Sequence, residues 1–156
     1  MWRRIVTVVA AATMIAGIRA EDDRFLGTWE LNLATSAITR GTPPKRETIA
    51  NVAEPGGFRS AVTTETARGT NVEIHHYVFD GAFHRTEGSD PRELSFARVD
   101  TNTIDSDTRR NGAITVKRRL VLSADGQTMT VTASGVSGGG QAYANDLRIY
   151  NRANHR

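Results

Sequence analysis

The residue with the clearest chemical potential in this chain is an arginine. Asp125-Gly126 is a preferred two-residue hairpin turn, and using it pairs Leu122 with Met129, Leu120 with Val131 and Arg118 with Ala133. Ile114, Val116, Leu120 and Leu122 then share a face with Met129 and Val131, so pattern and turn agree on one register. That register sets Arg118 on the apolar face, where a charge is costly unless it is paired or wetted. A guanidinium fork suits a carboxylate bidentately when water is scarce. Three roles are open for it: anchoring a ligand, a structural contact with an indole or an acid, or exposure to solvent.

Histidines form the second group. With Asp80-Gly81 as a turn, Val78 pairs with Phe83 and His76 with Arg85. His75 and His84 then become diagonal neighbours on one face, and His76 points the other way. Two imidazoles without a third ligand make a weak metal site, and a polar outer face is the simpler expectation; neither a metal nor a cofactor is expected. No H-E-x-x-H or phosphate-loop pattern is present. Asp100, Asp105 and Asp107 lie in polar, turn-like sequence and read as solvated. The run Gly138–Gly140 reads as a flexible connection, since no helical pattern follows it. No residue is given a catalytic role, and an enzyme acting inside a cavity stays as an alternative.

The elements that must position these groups read as strands. In Phe25-Leu-Gly-Thr-Trp-Glu-Leu-Asn-Leu33, residues Phe25, Gly27, Trp29, Leu31 and Leu33 alternate with Leu26, Thr28, Glu30 and Asn32, the rhythm of a half-buried strand. Further runs rich in Thr, Val, Ile and aromatics fall near 46–54, 57–66, 71–79, 82–87, 93–99, 103–109, 113–123, 127–135 and 143–151. Gly, Pro, Asp and Asn clusters separate them. A short turn of helix near residues 34–40 is the single helical candidate. Many short strands at near-regular spacing predict an all-β, antiparallel up-and-down barrel of about eight to ten strands.

The ends and the composition narrow the class. Met1-Trp-Arg-Arg4, an apolar run from Ile5 to Ile18 and Ala20 describe a secretory signal peptide over residues 1–20. That run is 14 residues long, short for a membrane span of about 20. The expectation is an exported, secreted or periplasmic domain over residues 21–156, with no stable membrane insertion once the signal is removed. The chain has 20 Lys+Arg against 17 Asp+Glu; without Arg3, Arg4 and Arg19 it has 17 against 17. A neutral mature chain has no electrostatic footprint for nucleic acid. There are no cysteines, so thiol catalysis and Cys-ligated zinc are excluded, and a hydrophobic core must hold the fold. Oligomeric state is not legible here.

Gly27-Thr-Trp29 on the first strand resembles the G-x-W element of the calycins: lipocalins, fatty-acid-binding proteins and avidins. The resemblance implies that Gly27 and Trp29 close one end of a barrel, with a late Arg packed across the indole. Residues 110–132 and Leu147-Arg-Ile-Tyr-Asn-Arg152 are similar to the closing strands of fatty-acid-binding proteins. Across residues 25–152 the chain looks most like small secreted bacterial lipocalin-like proteins of uncharacterised function, which share G-T-W-x-L-N, a middle D-G and an R-R-x-x-x-S-x-D-G-x-T-M-T-V-T block. In fatty-acid-binding proteins an Arg joins the R-x-Y of the last strand to hold a carboxylate. Carried over, this implies Arg118, Arg148 and Tyr150 as ligand-binding residues. The competing possibility turns Leu147 and Ile149 to the core and Arg148 and Tyr150 outward. The function so implied is reversible binding of a small hydrophobic or amphipathic molecule in the lumen; an envelope structural or interaction protein with a filled barrel is the other alternative.

Overall fold

Alternation of apolar and polar side chains, broken by turn residues, yields ten strands. In the computed structural model, which describes residues 22–153, these are β1 (Gly27–Leu31), β2 (Arg46–Glu54), β3 (Gly57–Thr66), β4 (Gly69–Val78), β5 (His84–Arg85), β6 (Glu93–Asp100), β7 (Thr103–Arg110), β8 (Ala113–Leu122), β9 (Thr128–Val136) and β10 (Ala142–Arg152). The expected signal peptide lies outside the described residues. Every neighbouring pair is antiparallel, in the order β4-β3-β2-β1-β10-β9-β8-β7-β6-β5. β1 joins the two ends of the chain through Trp29↔Arg152 and Leu31↔Tyr150. The sheet is an up-and-down barrel, closed but for one seam.

That seam lies between β4 and β5. Among the described residues, only Ile74 and Glu87 exchange backbone hydrogen bonds across it, at 2.9 and 3.0 Å. This bridge continues by two residues the register expected from Asp80-Gly81, yet the pairs nearer the turn are not formed. The reason is aromatic: Phe79 packs under the Arg98 guanidinium at 4.5 Å and Phe83 under that of Arg109 at 4.1 Å, which draws the two chains apart. Asp125-Gly126, with no such competitor, gives the expected Leu122↔Met129, Leu120↔Val131 and Arg118↔Ala133.

One end of the barrel is plugged. Phe25, Trp29 and Phe58 are fully buried there, with Leu122 and Met129 beside them. Rings stack upward from the plug, Phe58 on Tyr77 at 4.3 Å and Tyr77 on Phe96 at 3.8 Å, each pair adding about 0.5–1.5 kcal/mol beyond the area it buries. Trp29 donates its Nε1–H to the Phe25 carbonyl at 3.0 Å. Arg152 covers the indole at 4.2 Å and donates to the carbonyls of Arg24, Leu26 and Gly126. Gly27 has φ +103°, and a Cβ there would stand 2.9 Å from the Arg152 guanidinium. The glycine two residues before the indole is thus the place where the capping arginine lies down.

Two further expectations differ from the structure. Residues 34–40 form no helix; Ala37 bridges Leu147 instead, tying this segment to β10. Ile114 is half exposed rather than buried with Val116, because a register shift at Thr108/Arg109 carries that end of β8 past the lumen.

Candidate functional site

The lower half of the lumen is filled, and the upper half is not. A cavity of about 510 Å³ opens above Tyr77, Leu94, Phe96, Leu120 and Val131, within the size range of small-molecule sites. Its floor is apolar and its rim is charged: Arg40, Arg92, Arg118 and Arg148 face it with Glu47, Glu73 and Asp146. Four guanidinium groups against three carboxylates leave the lumen with an excess positive charge.

Arg148 and Tyr150 both point inward. A bulge between Tyr143 and Asp146, with Asn145 at φ 57°, resets the strand so that Asp146, Arg148 and Tyr150 share the lumen face. Arg148 Nε and Nη1 and the Tyr150 hydroxyl already have acceptors. Arg148 Nη1 reaches both Glu47 oxygens at 3.0 and 3.2 Å, and its Nε reaches Asp146 at 3.3 Å. The Tyr150 hydroxyl donates to Glu47 at 2.6 Å, and Thr64 adds a fourth hydrogen bond at 2.9 Å. Burial opposes the Arg148 charge, but Glu47, Tyr150 and Asp146 outweigh it and hold the pKa above its ordinary value. Burial and the adjacent Glu47 push Tyr150 well up, so the phenol stays protonated and donating. The group these two residues hold is the chain's own Glu47.

Arg118 is arranged differently. The described residues include no carboxylate that forms an ion pair with it; its one side-chain partner is the Thr108 hydroxyl, at 2.6 Å. Burial and the neighbouring Arg92 push its pKa down to about 10. It remains charged at neutral pH, inside a lumen, without a counter-ion. Gly27 and Trp29 sit at the far, closed end, and neither touches the cavity.

A second acid–base group lies on β4. Arg92 and His75 share Glu73: His75 Nε2 is 3.0 Å from Oε2, and Arg92 donates to the same oxygen. Burial drives the His75 pKa below 6.5, more than Glu73 raises it. Glu73 is held below its usual value because His75 and Arg92 outweigh its burial. His76, on the outer face, bridges Glu54 and Glu87 at 2.8 and 3.1 Å, and His84 rests on Asp80 at 3.0 Å. The described residues contain no group of three or more His, Cys, Asp or Glu able to hold a metal.

Glu47, Glu73, Asp146, Arg40 and Arg92 escape a reading of the sequence. The period-2 rule would have placed Glu73 with His75 and Tyr77 once the face of β4 was known, and Glu47 with Ile49. A depression of about 570 Å³ on the outside of β6–β9 is lined in part by Asp105, Asp107, Lys117 and Arg119. These pair across strands, Arg119 with Asp105 through two contacts of 2.7 Å and Lys117 with Asp107 at 3.3 Å.

The fold and cavity define a class: a small, nearly closed, all-antiparallel ten-stranded barrel with one plugged end, compatible with a calycin-like fold. No protein-family model matches the chain, and a comparison with curated proteins found no match either.

Proposed function

We propose that the barrel binds a small amphipathic molecule with an anionic head, a carboxylate by the geometry of the guanidinium fork, in the open half of its lumen. One observation carries this reading: Arg118 keeps its charge inside the barrel with only a hydroxyl for a partner. Arg118 is half-buried; charges drawn out of bulk water are normally matched, and a ligand anion would match this one. Leu94, Phe96, Leu120 and Val131 would take the apolar part, which must be short because Phe58, Trp29 and Met129 fill the barrel below. The half-open lumen favours a carrier over a filled structural barrel. The signal-like N-terminus supports export to the periplasm or beyond.

The test compares two fluorescent probes of one framework, 1-anilinonaphthalene-8-sulfonate and neutral N-phenyl-1-naphthylamine. The anion should bind at least tenfold more tightly to the wild type. Arg118→Leu should remove that preference, since a hydrogen bond to a charged group is worth about 1.5–3 kcal/mol, or about 10–150-fold. Equal binding of both probes by the wild type refutes the anion site. Native mass spectrometry of protein from its own host, seeking a retained acid, identifies the cargo.

A further inference from the structure

We infer that His75 is a proton acceptor for a bound ligand, positioned by Glu73, so that the lumen can isomerise a carbon acid as well as hold it. This rests on the lumen being the ligand site but not on Arg118 being its anchor. His75 and Glu73 both line the cavity, and their 3.0 Å contact assigns the Nε2 proton to the carboxylate side. Nδ1 is then the ring's remaining acceptor. The side chain is only 13% exposed, so its base acts away from bulk water, which strengthens a proton transfer.

The charged groups around it are Glu73 on its own strand, Arg92 ahead of β6 and Arg118 on β8; Ser60, opposite on β3, is neutral. Both arginines oppose a second proton on the imidazole, and burial acts in the same direction. A neutral, oriented imidazole is the state that a general base needs at pH 7.

The substrate class is an anionic β,γ-unsaturated carbonyl compound, whose α C–H bond is acidified by the carbonyl. The C–H bond breaks and its proton goes to His75 Nδ1. The electron pair moves into the carbonyl as an enolate, in the field of Arg92 and Arg118. Return of the same proton to a conjugated carbon shifts the double bond and restores neutral His75. The balance closes without an oxidant, a reductant or any co-reactant.

The probe is 5-nitrobenzisoxazole, a neutral carbon acid that reports on a base in an apolar pocket: loss of its C3 proton breaks the N–O bond and releases a coloured phenolate. The wild type should accelerate this at least a hundredfold over free imidazole of equal concentration. His75→Ala should lose at least tenfold of that rate. Glu73→Gln should move the inflection of the pH–rate profile. In the wild type that inflection should fall below pH 6.5 and coincide with the titration of the His75 imidazole followed by NMR. Three results overturn the inference: no acceleration over imidazole, full activity in His75→Ala, or an inflection above 6.5 that follows His76. Normal probe binding together with any of these leaves the carrier reading standing and removes only the base.

Discussion

Replacing Arg118 with methionine should make the protein more stable and less able to bind an anion. The folded state presses the Arg118 pKa from 12.5 down to about 10, and at 1.36 kcal/mol per pKa unit that is roughly 3 kcal/mol against the charged form. For a base whose pKa falls on folding, this penalty is complete below pH 10 and fades between about pH 10 and 12.5, so at neutral pH it acts in full. Against it stands the bond to Thr108, which is 1% exposed; orphaning a buried hydroxyl costs about 1–3 kcal/mol. The net is a gain of about 0–2 kcal/mol for Arg118→Met, rising toward 3 when Thr108→Val removes the orphan as well. For a domain of this size such a gain raises Tm by up to about 6 °C. Urea unfolding followed through Trp29, the one tryptophan after residue 20, measures it directly. A residue whose removal stabilises the fold is one that the fold does not need, and such residues are retained for function. If Arg118→Met instead lowers stability by more than about 1 kcal/mol, the charge is compensated in the folded protein and the anion site loses its foundation.

Two other perturbations separate structural from binding groups. Tyr150→Phe removes one of four hydrogen bonds to Glu47 and should cost about 1.5–3 kcal/mol of unfolding free energy, with sulfonate-probe affinity changed less than twofold; a large loss of affinity at unchanged stability would return Tyr150 to the ligand. At the β4–β5 seam, hydrogen bonds donated by the His76 ring to Glu54 and Glu87 raise its pKa above 6.5. A base whose pKa rises on folding contributes stability that is complete below 6.5 and lost as pH climbs through the higher folded value. Amide exchange at Ile74 and Glu87 should therefore quicken from pH 6 to 8, after correction for intrinsic rates, and His76→Phe should abolish that dependence.

How much of this could be read from the sequence follows from which forces act locally. Strand rhythm, the Asp125-Gly126 register and the Gly27–Trp29 pair are short-range, and the hairpin beside Arg118 forms as its turn dictates because nothing distant competes. At Asp80-Gly81 the same turn chemistry yields only one bridge, since Arg98 and Arg109 arrive from β6 and β7 to claim Phe79 and Phe83. The largest gap concerns the anion site. An Arg with an R-x-Y pair implies a fork around a ligand's carboxylate, but Glu47 comes from 101 residues earlier in the chain than Arg148 and fills that fork. Pairing across such a separation depends on barrel closure, which alternation alone cannot specify. Closure also divides the arginines: among the described residues it brings acids to Arg148 and Arg92 and none to Arg118. The proposed anion site therefore rests on the arginine that the closed sheet leaves unmatched.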